Sequence, residues 1–228
     1  MLNGLDQVSV VIPVLNDWSL LKALLTALTP FKELEIVVVD GGSDEASMDT
    51  LQPPVRLFKT ERGRALQLRS GVEATERPWL WFLHADSLVT GTVVEALQHA
   101  LEKGQWGRFD VTFSQDTRWF RLVAAAMNER SALTSICTGD QGIFVHRSLL
   151  ERIGGIPNQP LMEDIELSKR LRRISKPIRI RTSLGTSSRR WENDGTLRTI
   201  LLMWELRLRY FFGTSPEVLA ARYYPDGR

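Results

Sequence analysis

The sequence has little cysteine and no long apolar run. Cys137 is the single cysteine among 228 residues, which excludes an intrachain disulfide and a cluster of thiolate metal ligands. Residues 196–212 come nearest to the about 20 apolar residues that cross a bilayer, but they include Arg198 and Glu205. The first eight residues lack the basic and apolar regions of a signal peptide. We therefore expect a cytoplasmic protein in which Cys137 is an inert core thiol.

Strong net charge and biased composition are also absent. The chain has 16 glycines and 10 prolines, and 43% of its residues are apolar, as in an ordinary globular domain. Its formal charge is only +2, so its overall field does not predict a nucleic-acid partner. Residues 165–228 contain 14 basic and 6 acidic side chains, whereas the preceding part contains 15 basic and 21 acidic ones. The basic C-terminal quarter suits an anionic substrate, a membrane surface or a helix with one charged face.

Several common motifs are missing. Neither Gly-x-Gly-x-x-Gly nor Gly-x-x-x-x-Gly-Lys follows the first predicted strand, which disfavours a dinucleotide-dependent oxidoreductase and a P-loop NTPase. Serine, histidine and aspartate do not form the nucleophile elbow of a hydrolase either.

Strands and helices alternate over the first hundred residues. The first, second and fourth strands are apolar runs, the third is short, and the first helix has leucines at helical spacing. Thr92 and Glu95 have the spacing of a capping box at the start of the third helix. This alternation predicts an α/β nucleotide-binding half on a mostly parallel sheet flanked by helices. The predicted strands are residues 8–12, 35–39, 55–58 and 79–83, and the helices are residues 16–28, 64–74 and 92–101.

The second half is less regular. Residues 109–113 alternate like a half-exposed strand. We expect further strands at residues 142–145 and 178–182, and helices at residues 120–136, 164–174 and 196–212. The chain is predicted to be one domain with three parts. These are a nucleotide-binding half (1–104), a mixed acceptor and catalytic half (105–195) and an amphipathic helical tail (196–228).

Polar residues follow three of the predicted strands. In such sheets ligands bind outside the carboxyl ends of the strands, where this chain has residues 13–16, Asp40 and residues 84–86. Asp86 is an oxygen ligand of the kind that Mg²⁺ or Mn²⁺ accepts while also bridging a substrate diphosphate. His84 lies two residues earlier; its alternative role is to close the strand through a backbone hydrogen bond.

Two later clusters carry charge. Glu163 and Asp164 begin a predicted helix, where they either favour the helix N-terminus or act as a base on a hydroxyl. Arg189 and Arg190 precede Trp191, a combination that can hold phosphate and cover a sugar or base. A solvated loop is the alternative for this second cluster.

In their order along the chain these segments resemble a family-2 glycosyltransferase of the GT-A fold. A small bacterial subgroup is more similar still: it has His-Ala-Asp, Gly-Asp-Gln-Gly, Glu-Asp and Ser-Ser-Arg-Arg-Trp motifs, and some members are named arsenosugar-biosynthesis glycosyltransferases. The matching segments are residues 10–16, 36–44, Gly63-Arg64-Ala65 with Gln67, residues 82–86, Gly139-Asp140-Gln141-Gly142, Gly154-Gly155, Glu163-Asp164 and Arg189-Arg190-Trp191.

The resemblance implies roles on the donor side. Pro13 and Asn16 would border the nucleotide, Asp40 would meet its base or ribose, and Arg64 would lie by the base or diphosphate. Asp86 would hold the divalent cation, as the last carboxylate of the family's Asp-x-Asp does. His84 replaces the first aspartate of that motif, so its contact with ribose or metal stays open.

The resemblance also implies roles on the acceptor side. Asp164, next to Glu163, would be the general base, and Arg190 would stabilise the departing diphosphate. Asp140, Gln141 and Trp191 would form the acceptor pocket. Ser187 stands where processive synthases have the glutamine of Gln-x-x-Arg-Trp, and no transmembrane helix follows in this sequence, so non-processive transfer is expected.

The implied reaction is metal-dependent transfer of a sugar, with inversion, from a nucleoside-diphosphate sugar to a hydroxyl of a small-molecule or lipid-linked acceptor. One alternative is a sugar-phosphate nucleotidyltransferase, although residues 13–16 replace its usual Gly-rich, basic loop. A second alternative is a non-catalytic module that binds a nucleotide sugar or docks through the basic tail.

The tail has several interpretations of its own. Leu197, Leu201, Trp204, Leu208 and Phe211 lie near one stripe of the predicted helix. This stripe either packs on the domain, packs on a second subunit of a homo-oligomer, or contacts the inner face of a membrane.

Overall fold

A computed structural model describes residues 4–44, 54–188 and 196–224, and for residues 196–200 it describes the backbone alone. The strands are β1 (Val8–Val14), β2 (Glu35–Asp40), β3 (Val55–Lys59), β4 (Trp79–Phe82), β5 (Ser87–Leu88), β6 (Trp106–Phe113), β7 (Phe144–His146) and β8 (Ile178–Thr186). The helices are α1 (Trp18–Leu28), α2 (Arg64–Glu73), α3 (Gly91–Leu101), α4 (Arg118–Thr134), α5 (Arg147–Arg152), α6 (Glu163–Arg172), α7 (Thr196–Phe211) and α8 (Pro216–Tyr223).

The described strands form one mixed sheet in the order β3-β2-β1-β4-β7-β6-β8-β5. Strands β1 to β4 are parallel to one another. Strand β7 is antiparallel to both β4 and β6, β6 and β8 are parallel, and β5 is an antiparallel edge. This confirms the prediction of a parallel first half and a mixed second half.

Strands β1, β2 and β4 read as mostly apolar runs because both faces of the sheet are covered there. The edge strand β3 differs, since its Arg56 and Lys59 are exposed. Successive side chains alternate between two cores: Val10 and Ile12 pack with α1 and α3, whereas Val11 packs with α2, α5 and α6. Trp81 and Phe82 alternate in the same way. Burial on both faces thus fixes the register that brings the strand ends to one edge.

The expectation of a half-exposed strand at residues 109–113 is wrong. Thr112 is the exposed residue of β6, and the other seven are buried. The polar members are buried because they are paired: Arg108 contacts Asp110, and the Asn128 side chain of α4 bonds the backbone of Val111 at 2.8 and 3.1 Å. Of the two polar residues in this alternation, Asp110 therefore belongs to a buried polar network and Thr112 alone faces solvent.

The capping box predicted at Thr92 and Glu95 is also wrong. Helix α3 begins at Gly91 with Thr90 as its N-cap residue, and no side chain caps its backbone. The Thr90 and Thr92 hydroxyls lie 2.9 Å apart and bond each other instead.

The C-terminal helices pack through the face opposite to the predicted stripe. Leu206 and Leu219 are fully buried against Leu161, Met162 and Ile165. Four members of the stripe remain exposed on the outer face of α7: Leu201, Trp204, Leu208 and Phe211. Packing of this stripe on its own domain is therefore ruled out for those residues. None of the helices in the described ranges is long and apolar enough to cross a membrane.

Cys137 is fully buried, as predicted. Burial raises the pKa of its thiol to about 12, so the reactive thiolate is disfavoured.

Candidate active site

The carboxyl ends of β1 and β2 are joined by a small hydrogen-bond network. Asp40 is 1% exposed, and its carboxylate accepts from the Ser43 hydroxyl at 2.6 Å and the Ser43 amide at 3.0 Å. The Ser43 hydroxyl also accepts from the backbone amide of Asn16 at 2.9 Å. Asn16 and Asp44 bond each other twice, at 2.9 and 3.3 Å. Asn16 adopts a left-handed φ of 57°, and asparagine tolerates this conformation better than most residues.

Gln67 holds this edge against helix α2. Its buried side-chain amide donates to the carbonyls of Val14 and Val39, both at 2.8 Å. Val14 is the last residue of β1 and Val39 the next-to-last residue of β2. One side chain therefore satisfies a backbone carbonyl at the end of each strand. Arg64 is the first residue of the same helix, and Gln67 therefore fixes where Arg64 enters the site.

Arg64 joins the two halves of the chain. Its Nε donates to the buried Glu163 carboxylate, and its Nη2 lies 3.5 Å from Asp164 Oδ2. Its Nη1 lies 3.2 Å from His84 Nε2. Burial opposes the charge on Arg64, but the two carboxylates outweigh it and raise the pKa of the guanidinium. Sequence reasoning assigned Arg64 to the nucleotide and missed this bridge.

His84 follows β4 and is held on both sides of its ring. Its Nδ1 lies 3.1 Å from Asp140 Oδ1, opposite the contact with Arg64. Burial lowers the pKa of His84, but the bond to Asp140 overcomes this and the net shift is upward. For Asp140 the signs are reversed: burial raises the pKa of its carboxyl, but the hydrogen bond to His84 outweighs this and lowers the pKa to about 2. A Cβ at Gly139 would overlap the His84 ring, so that glycine allows the loop to approach.

Glu163 and Asp164 begin α6, as expected, but their environments differ. Glu163 is 3% exposed, and burial raises the pKa of its carboxyl because Arg64 offsets only part of the desolvation. The Asp164 side chain is 15% exposed. It accepts from the Gly139 amide at 2.9 Å through Oδ2 and from the Ile165 amide at 2.7 Å through Oδ1. These bonds orient the carboxylate and leave a lone pair on each oxygen.

Asp86 lies in the tight turn after His84. The turn is closed by bonds of 3.1 Å between the Ser87 hydroxyl and the His84 amide and between the Ser87 amide and the His84 carbonyl. Burial raises the pKa of Asp86, and nearby His84 offsets this only in part. The Thr186 hydroxyl approaches Asp86 at 3.5 Å. In the described part of the chain no cation forms an ion pair with Asp86, and no three His, Cys, Asp or Glu side chains cluster as metal ligands.

The geometry conflicts with one acceptor prediction. Gln141 is fully buried. Its Oε1 accepts from the Thr138 amide at 3.2 Å, and its Nε2 donates to Ser131 at 2.9 Å. Gln141 thus braces the loop that carries Asp140, because its polar atoms are already used inside the fold.

Arg189, Arg190 and Trp191, also predicted for the site, lie outside the described residues.

A small pocket opens at this cluster. Its polar end is formed by Arg64, His84, Glu163 and Asp164, next to Gly139. Pro13 borders it as well, and the remaining lining is apolar: Leu68, Phe82, Leu83, Ile143, Ile156 and Leu167. Residues from both halves of the chain therefore meet at one concave surface.

Comparison with known proteins identifies the family. The model of the family described as Glycosyl transferase family 2 matches residues 9–153, more than half of the chain. The chain belongs to glycosyl transferase family 2. Among curated proteins, no sequence match was found. The family assignment agrees with the resemblance drawn from the motifs.

Solved structures share the GT-A fold with this family-2 chain. The structure of S. aureus TarS 1-349 superposes with a TM-score of 0.66 and 14% identity, covering 79% of this chain and 60% of TarS 1-349. The mannosyltransferase PcManGT from Pyrobaculum calidifontis, in complex with GDP-Man and Mn²⁺, gives a TM-score of 0.63 and 21% identity, covering 96% and 69%. Glucosyl-3-phosphoglycerate synthase from Mycobacterium tuberculosis, in complex with Mn²⁺ and UDP-glucose, gives a TM-score of 0.58 and 18% identity. The match covers 78% of this chain and 69% of the synthase. The chain thus spans about 60% of the length of the TarS structure.

Proposed function

We propose that this protein transfers a sugar, with inversion and without processivity, from a nucleoside-diphosphate sugar to an acceptor hydroxyl. The observation that carries the proposal is the charged cluster at the strand ends. It sets Asp164, a partly exposed and oriented carboxylate, against Arg64 and His84 of the nucleotide-binding half. The pocket between these residues would bring donor and acceptor together.

The donor side is formed by the first half. Pro13, Asn16 and Asp40 would border the nucleoside at the edge of β1 and β2, where Ser43 already fixes two of them. Arg64 and His84 would face the diphosphate. Three structures similar to this chain were solved with UDP-GlcNAc, GDP-Man or UDP-glucose, which supports a nucleotide sugar as donor and leaves its base and sugar open.

A divalent cation fits beside Asp86. This carboxylate is partly buried and has no ion-pair partner among the described side chains, so a cation would relieve its desolvation. Mg²⁺ commonly takes one or two protein carboxylates and completes its shell with substrate phosphates and water. His84 is occupied by Asp140 and Arg64, which favours Asp86 as the ligand. When bound, Mg²⁺ or Mn²⁺ would stabilise negative charge on the leaving diphosphate.

Asp164 would act as the general base. Its free lone pairs can accept the proton of the acceptor hydroxyl while the oxygen attacks the anomeric carbon from the side opposite to the diphosphate. The carbon–oxygen bond to the diphosphate breaks as the new glycosidic bond forms, so the configuration inverts. Glu163 keeps Arg64 in place, and Asp140 would border the acceptor. Arg190 and Trp191 stay predictions from the resemblance, for the leaving diphosphate and the acceptor respectively.

The exposed face of α7 favours contact with a membrane as a second property. Trp204 is 67% exposed and Phe211 77% exposed on one side of the helix, while its other side packs on the domain. Such a face can lie at a lipid interface. It would bring the pocket to a lipid-linked acceptor; a second subunit covering the same face is the alternative.

A thermal-shift screen of UDP- and GDP-sugars, with and without Mn²⁺, tests the proposed function. A true donor stabilises the folded state by mass action. We expect a metal-dependent rise in melting temperature that Asp86→Asn abolishes, whereas Asp6→Asn, at an exposed position, retains it. Slow release of nucleoside diphosphate should accompany binding.

The alternatives give different outcomes in the same experiment. Binding without any turnover would favour a non-catalytic module. Release of pyrophosphate from a nucleoside triphosphate and a sugar phosphate would favour a nucleotidyltransferase. No shift with any nucleotide or nucleotide sugar would reject the proposal.

A further inference from the structure

Two arginines outside the cluster at the strand ends have unsatisfied guanidinium atoms. Arg130 Nη2 on α4 and Arg207 Nε on α7 are buried and have no hydrogen-bond partner in the described part of the chain. Arg130 Nη1 donates to the Ile136 carbonyl at 3.2 Å. Among described residues, neither arginine has a carboxylate within ion-pair distance. Buried donors of charged groups are seldom left unpaired, so each of these N–H groups is available to a further acceptor.

Both arginines lie on the acceptor side of the site. Arg207 follows Leu206, which packs against Ile165, the residue next to Asp164. Ile136, which Arg130 bonds, belongs to the same apolar cluster and begins the loop that leads to Asp140. Charge interactions of Arg130 with Asp164 and of Arg207 with Asp140 put the two guanidinium groups near the helix and the loop that carry these carboxylates.

The electrostatics of this region agree with the geometry. Burial, together with the charge of Arg207, lowers the pKa of Arg130 to about 10. The charge of Arg207 also reaches Asp140 and helps to keep it ionised. Asp164 offsets the lowering of the Arg130 pKa only in part, so a further anion between the two arginines would reduce the cost of burying them together. A phosphate monoester, which carries a charge near −2, would neutralise the pair and accept from both guanidinium groups.

We propose that Arg130 and Arg207 bind a phosphate group of the acceptor. This inference rests on the proposed function, since Asp164 would then activate a hydroxyl of the same molecule. The acceptor is accordingly a phosphorylated molecule in which a free hydroxyl lies near the phosphate. It is either a soluble phosphate ester or a phospholipid headgroup presented along α7.

Thermal shift of the full chain with inorganic phosphate and with glycerol 3-phosphate tests the site, with glycerol as the neutral probe and sodium chloride holding the ionic strength. We expect both phosphates, and not glycerol, to raise the melting temperature in a saturable way. Arg130→Gln and Arg207→Gln should each weaken the apparent affinity at least about tenfold, because each removes charged hydrogen bonds.

Arg209→Gln is the matched control. It makes the same charge change two residues away on α7, where Arg209 pairs with Glu205 at 2.9 Å, and should leave phosphate affinity unchanged. Arg207→Lys keeps the charge and should lose only part of the affinity, so the test survives if a glutamine variant does not fold. Vesicles of phosphatidylcholine with and without phosphatidic acid form the lipid arm; binding that requires phosphatidic acid and Arg207 assigns the phosphate to a lipid.

Two results would overturn the inference. Equal phosphate affinity in the wild type and both glutamine variants would remove these arginines from the site. Displacement of phosphate by UDP with Mn²⁺ would assign the phosphate to the donor diphosphate instead. Donor binding by the wild type is measured in parallel. Its presence without a phosphate effect rejects this inference alone, and its absence rejects the proposed function.

Discussion

Asp140 Oδ1 lies 3.1 Å from His84 Nδ1, and the resemblance predicts that His84 takes the place of the first aspartate of the family's Asp-x-Asp motif. On that prediction, histidine in place of aspartate removes a carboxylate from the turn after β4. Asp140 supplies a carboxylate from a loop 56 positions further along the chain. The site therefore has an ionised carboxylate here, and this carboxylate is bonded to the His84 ring.

Asp140→Asn tests this arrangement. The change keeps the size of the side chain but removes the charge that fixes the His84 ring, and loss of such a supporting group commonly costs about 10- to 100-fold in activity. We expect a fall of that size in kcat/KM for release of nucleoside diphosphate. Asp116→Asn, at a side chain that is 79% exposed, should have no effect. Equal activity of the two variants would show that the His84 contact has no functional role.

Gly139→Ala tests the close approach of the loop to His84. The added Cβ would overlap the ring, so either the ring or the loop has to move. We expect activity to fall at least about tenfold, since displacements of about 1 Å near a reacting centre are costly. Gly91→Ala is the control, because its Cβ would meet nothing closer than Phe31 at 4.0 Å. Wild-type turnover in Gly139→Ala would contradict the packing described here.

Arg64→Met tests the buried pair with Glu163. The variant leaves Glu163 buried without its guanidinium, which should cost about 1–3 kcal/mol in the free energy of unfolding. The folded-state pKa of Glu163, already raised by burial, would rise further above its unfolded value. The free energy of unfolding of the variant then falls as the pH rises from the unfolded-state pKa of Glu163 to its folded-state pKa. The loss of stability relative to the wild type should therefore be smaller at about pH 5 than at about pH 8.

Urea unfolding of the wild type and of Arg64→Met at both pH values measures this loss of stability. Arg56→Met is the matched control, because its partner Glu35 is nearer to solvent and Arg56 itself is 49% exposed. A deficit in Arg64→Met that is the same at both values, or larger at the lower one, would contradict the buried pair.

Strands β1, β2 and β4 of the parallel half could be predicted from sequence because they are buried on both faces. Runs such as residues 8–12 leave little choice between a strand and another element. The strand β6 was predicted only in part, since Arg108 and Asp110 satisfy each other inside the fold. Local patterns cannot show whether a polar residue faces water or a buried partner.

The candidate site was predicted as separate motifs. The contact between Arg64 and Glu163 joins positions 99 residues apart, and no spacing rule relates them. Gln141 was assigned to the acceptor for its place in a motif, but its hydrogen bonds lie inside the fold. Only the three-dimensional arrangement separates residues that face the pocket from residues that support it.

Trp204→Gln tests membrane contact through α7. This side chain is 67% exposed on the outer face, and aromatic residues contribute strongly to interfacial binding. We expect the wild type to cosediment with anionic liposomes at low salt and the variant to lose most of that binding. Trp119→Gln, at a 44% exposed tryptophan on α4, should bind like the wild type. No binding by the wild type at low salt would end the lipid hypothesis, and a concentration-dependent dimer would favour a second subunit.

Turnover by Asp164→Asn tests the central claim most directly. Release of nucleoside diphosphate is measured for the donor found by thermal shift, alongside donor affinity. Glu166→Gln is the control on the same helix, where Glu166 pairs with Arg170 at 3.0 Å. We expect Asp164→Asn to lose about 10²- to 10⁴-fold in turnover with donor affinity nearly unchanged, and Glu166→Gln to retain activity. Turnover by Asp164→Asn within about tenfold of the wild type would contradict its role as the base.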